Sequence, residues 1–258
     1  MLLAINSGNT NASFAVYDGD KQRGRWRIST DPRRTADEYG VWLSQLMGLK
    51  GLKPGDIDGA IIASVVPDAL FNLKTLVRTY FNCNPLVIGD SDGNRLGIKA
   101  AIDRPEEAGA DRLVNAYAAH QRYGGPAIVV DFGTATTFDI VDKDGAYAGG
   151  VIAPGINLSL QALYMAAAKL PNVAIEKPKQ VIGKSTVPAM QSGVFWGYVG
   201  LIDGLVTRIK NEYGAPMKVI ATGGLAPMFK DAAETLEHID GDLTLDGLLW
   251  LYRANAKK

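Results

Sequence analysis

Apolar residues in this chain come in short runs, each closed by a polar turn containing glycine, and two of these constructions match. Leu2 to Ile5 is an apolar run ended by Asn6-Ser7-Gly8-Asn9-Thr10, after which Ala12 to Tyr17 resumes as a strand and closes at Asp18-Gly19-Asp20. Short apolar segments bounded by Asn, Asp, Ser and Gly predict strands joined by a turn, here a β-hairpin. Ala127 to Val130 repeats the pattern: it runs into Asp131-Phe132-Gly133-Thr134-Ala135-Thr136, continues from Thr137 to Val141 and turns at Asp142-Lys143-Asp144-Gly145. Aligned without a gap, Gly8 falls on Gly133, Asn9 on Thr134, Asn11 on Thr136 and Val16 on Val141.

The correspondence extends to Ile61-Ile62-Ala63-Ser64 with Pro67, which resembles Val219-Ile220-Ala221-Thr222 with Pro227. Longer amphipathic segments lie between the strands and predict helices over Thr35 to Leu49, Ala69 to Phe81, Glu106 to Tyr123, Asn157 to Leu170, Thr186 to Tyr213 and Leu243 to Ala254. Strands interleaved with helices imply α/β layers. A repeat near half the chain length implies an internal duplication, with domains at residues 1–117 and 118–258. Two unrelated α/β halves would also look alike at this level. The matched polar tips favour duplication, since a turn needs glycine but not the same small hydroxyl and amide residues twice.

Those tips suggest phosphate binding. Small side chains beside a glycine let backbone N–H groups approach an anion, and Asn and Thr side chains add hydrogen bonds. There is no Gly-x-x-x-x-Gly-Lys-Ser/Thr run, and no Gly-x-Gly-x-x-Gly turn follows the first strand, which disfavours a P-loop and a dinucleotide-binding domain. Thr222-Gly223-Gly224-Leu225 follows a strand and opens into a helix, a place where a flat ligand or phosphate could lie close to the backbone; a tight turn reads equally well.

Composition narrows the partners. The 258 residues carry 27 basic and 27 acidic side chains, so no net charge draws the chain to nucleic acid or an anionic membrane. A single Cys83 excludes an internal disulfide, and with only His120 and His238 no zinc-ligand cluster is visible. No apolar run approaches the roughly 20 residues that span a bilayer, and no basic leader precedes Leu2. The expectation is a cytoplasmic protein without membrane or nucleic-acid partners.

The motifs together resemble the acetate and sugar kinase, Hsp70 and actin superfamily, and within it the type III pantothenate kinases. The carrying residues are Asn6-Ser7-Gly8-Asn9-Thr10, Gly109-Ala110-Asp111-Arg112, Asp131-Phe132-Gly133-Thr134-Ala135 and Gly223-Gly224-Leu225, with Gly149 to Gly155 and Met190-Gln191-Ser192-Gly193 in support. The resemblance implies two actin-like, ribonuclease H-like domains with a nucleotide cleft between them. It implies ATP-dependent phosphorylation of pantothenate, the entry step of coenzyme A synthesis. Asn6, Ser7, Gly8, Asn9, Thr10, Asn11, Ala12, Ser13, Thr134, Gly223 and Gly224 would bind ATP. Gly109, Ala110, Asp111, Arg112 and Thr186 would hold the acceptor, with Asp111 as general base. Asp131 would bind a monovalent cation, potassium or ammonium, with Mg²⁺ accompanying ATP. The family also implies a homodimer with the acceptor site near its interface. From the residues alone, Asp111 also reads as a surface acid beside an arginine, Arg112 as a solvated charge and Thr186 as a helix N-cap.

Two positions depart from the family pattern. Asn6 stands where relatives usually have an acid, which removes a Coulombic attraction for the metal, and Ile102 stands where many have a tyrosine that contacts pantothenate. Two other functions stay open: a weakly active or non-catalytic regulatory protein on the same fold, and a kinase for another small hydroxyl compound.

Overall fold

The computed structural model describes residues 1–88, 96–166 and 170–256. Its contacts divide the chain into two compact units, one of Met1–Ala118 with Asp242–Lys258 and the other of Ala119–Gly241. Each unit is built on one five-stranded sheet.

The first unit contains β1 (Leu2–Ser7), β2 (Asn11–Asp18), β3 (Lys21–Ser29), β4 (Gly59–Ser64) and β5 (Pro85–Ile88), in the order β3-β2-β1-β4-β5. The β1–β2 and β2–β3 pairs are antiparallel; β1–β4 and β4–β5 are parallel. Helices α1 (Ala36–Gly48) and α2 (Pro67–Phe81) cover one face. Tyr39, Leu43 and Met47 of α1 and Leu73, Leu76, Val77 and Phe81 of α2 close with Leu3, Ile5, Phe14 and Ile62 into one apolar core. Burying each of these larger side chains contributes roughly 1.5–3 kcal/mol before entropy is counted. Thr35 starts α1 with a capping box: its hydroxyl accepts from the Glu38 N–H at 3.3 Å, and the Glu38 carboxylate accepts from the Thr35 N–H at 2.8 Å.

The second unit contains β6 (Ala127–Phe132), β7 (Ala135–Val141), β8 (Tyr147–Pro154), β9 (Lys218–Gly223) and β10 (His238–Ile239), in the order β10-β9-β6-β7-β8. Read from the other edge this is the first sheet's order, with β6 in the place of β1. The helices here are α4 (Ile156–Ala166), α5 (Thr186–Tyr213) and α6 (Ala226–Phe229). Phe195, Tyr198, Val199, Ile202 and Val206 of α5 and Phe229 of α6 pack on Ile128, Val130, Phe132 and Phe138. The chain passes between the units within α3 (Ala110–Tyr123) and again at Gly241.

The strand registers sharpen the internal alignment. Ser7 pairs with Ala12, leaving four residues in the first turn, whereas Phe132 pairs with Thr136, leaving three in the second. The gap-free pairing of Asn11 with Thr136 and Val16 with Val141 is therefore off by one beyond the turn: Ala12 matches Thr136 and Tyr17 matches Val141. Phe14 and Phe138, both fully buried, become equivalents. Likewise Gly59 pairs with Leu2 as Lys218 pairs with Ala127, so Ser64 matches Gly223, one residue later than the sequence comparison placed it.

Other expectations shift as well. The helix expected from Glu106 is a short 3-10 turn at Pro105–Glu107, and α3 begins only after Gly109, whose carbonyl accepts from the Leu113 N–H at 3.1 Å. The helix expected over Asn157 to Leu170 is seen as α4, and its residues 167–169 lie outside the described residues. The C-terminal helix α7 (Leu243–Asn255), which a division at 117/118 assigns to the second domain, packs on β1 and β4 in the first unit. Tyr17 donates to the Asp246 carboxylate at 2.8 Å, and salt bridges join Arg25 to Asp242 and Arg253 to Asp20. Among the described residues, no helix is long and apolar enough to cross a membrane.

Candidate active site

In the first unit the expected phosphate residues surround one hairpin turn. β1 is buried over Leu2–Ile5, half-exposed at Asn6 and buried again at Ser7; Asn9 and Thr10 then stand exposed at the tip. The Gly8 N–H donates to the Asn11 carbonyl at 3.1 Å. Thr30, just past β3, clamps the turn from behind: its N–H donates to the Thr10 carbonyl at 2.9 Å and its hydroxyl to the Gly8 carbonyl at 2.6 Å. Ala12 is buried beneath the turn, and Ser13 pairs with Asn6 across the hairpin. The side-chain oxygens of Asn6 and Ser7 are buried without a hydrogen-bond partner. Since a buried acceptor left unpaired costs about 1–3 kcal/mol, these two atoms mark a place built for something more than packing.

The same unit holds the Gly109–Arg112 segment. Asp111 lies in the first turn of α3, where the helix dipole favours a negative charge. One of its oxygens accepts from the Arg112 N–H at 2.8 Å. A Cβ on Gly109 would stand 2.8 Å from that same oxygen, so the carboxylate is folded back against the backbone. Burial pushes the Asp111 pKa above the ordinary carboxylate value, against the opposing pull of the Arg112 N–H and the Arg112 charge. Ala110 is buried, fixing the helix start, and Ile102 is half-buried ahead of the 3-10 turn.

In the second unit Asp131, Thr134, Gly223 and Gly224 meet at the ends of β6 and β9. Asp131 is the structural equivalent of Asn6: each is the half-exposed fifth residue of a six-residue strand whose other residues are buried. Thr134 is exposed at the tip of the second turn, which the Gly133 N–H closes onto the Ala135 carbonyl at 3.1 Å. Gly223 has φ +90°, and a Cβ there would stand 2.6 Å from the Phe132 carbonyl oxygen and 2.8 Å from the Asp131 carboxylate. Only glycine meets both conditions, which explains the first glycine of the pair. Among the described residues no group of three or more His, Cys, Asp or Glu side chains is placed to hold a metal ion. A cation at Asp131 would therefore take its remaining ligands from other oxygens.

Thr186 is the first residue of α5; Ser185, not Thr186, occupies the N-cap position. Thr186 lines a groove of about 720 Å³ between α4 and α5, together with Leu163, Met190, Val194, Gly197 and Tyr198. Unremarked in the sequence is a network behind the second turn. The Gly155 N–H donates to the Thr134 carbonyl at 3.1 Å, and the Gly155 carbonyl accepts from the Ser159 N–H at 2.9 Å. A Cβ on Gly155 would stand 2.2 Å from the Thr134 carbonyl oxygen, so β8 and the turn touch through backbone alone. The glycine was legible in the chain; its contact, across some twenty residues, was not.

Residues 2–208 match the family described as type III pantothenate kinase. The chain belongs to the type III pantothenate kinase family. It is 67% identical over 256 residues to a type III pantothenate kinase of Paramagnetospirillum magneticum, covering 99% of this chain and 98% of that one. It is 64% identical to one of Rhodospirillum rubrum over 255 residues, covering 99% of each. A solved structure of the activator of the 2-hydroxyisocaproyl-CoA dehydratase from Clostridium difficile, with ADPNP bound, shares the fold at a TM-score of 0.57 and 13% identity, over 99% of this chain and 94% of that one. The expected α/β actin-like fold and the family resemblance are thus both met: Asn6 to Thr10, Asp131 to Ala135 and Gly223 to Leu225 fall on strand ends and turns, Gly109 to Arg112 on the start of α3, and Met190 to Gly193 within α5.

Folding raises the Asp111 pKa, so the folded protein holds that proton more tightly than the unfolded chain, and stability declines as pH rises through the raised value. An Asp111→Asn protein is expected to melt higher than the unsubstituted one at pH 7–8, by about 2–4 °C for each kcal/mol recovered, with the gap closing towards acid pH. Thermal melts of both proteins across that range check it; a lower Tm for Asp111→Asn at neutral pH would contradict the assigned cause.

Proposed function

We propose that this protein transfers the γ-phosphoryl group of ATP to the hydroxyl of pantothenate, giving 4'-phosphopantothenate and ADP at the first step of coenzyme A biosynthesis. The carrying observation is Asp111: a carboxylate in a helix first turn, oriented by a backbone N–H and raised in pKa by burial. The substrate hydroxyl attacks the γ-phosphorus, the bond to the β–γ bridging oxygen breaks, and the hydroxyl proton passes to Asp111. A carboxylate whose pKa is raised is a better proton acceptor at the moment the alcohol becomes acidic. In the first unit Gly109, Ala110 and Arg112 would contact the acceptor and Asn6 to Ser13 the ATP phosphates; in the second, Thr186 would contact the acceptor and Thr134, Gly223 and Gly224 the ATP phosphates.

Mg²⁺ bound with ATP neutralises charge on the phosphates. The buried, unpartnered Asn6 Oδ1 fits a role towards that ion or its water, since an amide oxygen accepts such a bond. Asp131, at the equivalent strand position, carries the negative charge that Asn6 lacks and would attract a monovalent cation, potassium or ammonium. The groove lined by Thr186 is largely apolar, and Ile182, Val187 and Met165 are exposed in the same unit, which supports a homodimer that covers them. Solution in the cytoplasm suits ATP and pantothenate as partners.

Purified protein with MgATP, a potassium salt and pantothenate should form ADP only when the acceptor is present. Asp111→Asn should lower kcat by about 10²–10⁴-fold. Turnover with a different hydroxyl compound but not pantothenate would reassign the acceptor, and no turnover with any would favour a regulatory role. Asn6→Asp should lower the Mg²⁺ concentration for half-maximal rate about 5-fold, equivalent to roughly 1 kcal/mol of added attraction; an unchanged value would rule out a metal role at that position. Light scattering at micromolar concentration should return the mass of two chains, and a monomer mass would end the dimer proposal.

A further inference from the structure

Tyr198 lies midway along α5, only slightly exposed, in contact with most of the parts that shape the second phosphate turn. Its ring stacks on Phe229 of α6, centroids 6.4 Å apart at 30°. Its hydroxyl donates to the Pro154 carbonyl at the end of β8. With its single proton so committed, the oxygen accepts from the Ser159 hydroxyl of α4 at 3.1 Å. Both partners adjoin the second turn: Pro154 precedes the Gly155 that binds the Thr134 carbonyl, and the Ser159 N–H binds the Gly155 carbonyl in return.

A hydroxyl that joins groups from two different elements, β8 and α4, does more than fill space. Phenylalanine would pack the same ring on Phe229, so packing does not account for the hydroxyl. Tyr198 also lines the groove that contains Thr186. The side chain therefore joins the floor of that groove to the turn that carries Thr134.

We propose that Tyr198 is a positioning residue for phosphoryl transfer, its hydroxyl holding together the β8–α4 corner whose Gly155 bonds to Thr134 of the turn, while its ring holds that corner to α6. This rests on the reading of Thr134 as an ATP phosphate contact. A turn free to move by even part of an ångström misaligns the γ-phosphoryl group without removing any group that binds the acceptor. The loss therefore belongs in kcat and in the KM for ATP, not in the KM for pantothenate.

The test uses the full chain with Tyr198→Phe, Ser159→Ala, the double variant and Thr134→Ala, each assayed against ATP and pantothenate and melted in parallel. The expected result is a fall in kcat of about 10-fold for Tyr198→Phe, with the KM for pantothenate changed by less than about 2-fold. Ser159→Ala should lower kcat in the same direction, and the double variant should be no worse than Tyr198→Phe, because the phenylalanine has already removed the bond to Ser159. Should Tyr198→Phe not fold, Ser159→Ala reads the same bond from its other end by the same criterion. The proposal is overturned if kcat stays within about 2-fold of the unsubstituted protein, or if the two losses multiply as independent effects do. Normal ATP kinetics in Thr134→Ala would overturn the reading of the turn and this proposal together, whereas a raised KM for ATP there with unaltered Tyr198→Phe would remove Tyr198 alone.

Discussion

Both halves of this protein depend on a central strand that is buried along its length and still ends in a turn exposed at its tip. β1 and β6 meet this in the same way, with four buried residues, one half-exposed polar residue, one buried residue and then a glycine. The buried part anchors the strand through apolar contact and holds the turn in a fixed direction. Under the proposed function, that rigidity spares the entropy that a flexible loop of the same composition would lose each time it bound an anion.

The halves reach this end with different supports. In the first unit the turn is clamped by Thr30, one residue past β3, through its N–H and its hydroxyl. In the second the turn is one residue shorter and is held by the β8–α4 corner, where Gly155 bonds to Thr134. A single substitution at the fifth strand position, Asn6 in one half and Asp131 in the other, leaves the charge of the pair on the second unit alone. Duplication preserved the scaffold, and the chemistry diverged at its tips.

The same economy governs Asp111. Its position in a helix first turn and its bond from the Arg112 N–H stabilise the carboxylate, while burial raises its pKa. The balance leaves a carboxylate that is held in place and is a stronger base than one in water. The cost falls on folding stability, which under the proposed function is the trade expected where a group is placed for reaction instead of packing.

Much of this was readable along the chain because it rests on local rules. Apolar runs ended by Gly8 and Gly133, the capping pair Thr35 and Glu38, and the length of α5 follow from neighbouring residues, so the α/β pattern, the duplication and the site motifs were visible without coordinates. β3 was not, because Lys21–Ser29 is a polar edge strand whose place is decided by pairing with β2. The one-residue offset between the two turns was hidden for a related reason: register is a property of two strands together, and a gap-free comparison cannot detect it. The placement of α7 on β1 and β4, and the meeting of Tyr198 with Pro154 and Ser159, depend on packing between segments far apart in sequence. The sequence by itself determined which residues were capable of the chemistry; only tertiary structure decided which of them stand together, because contact energy depends on distance in space and carries no local signature in the chain.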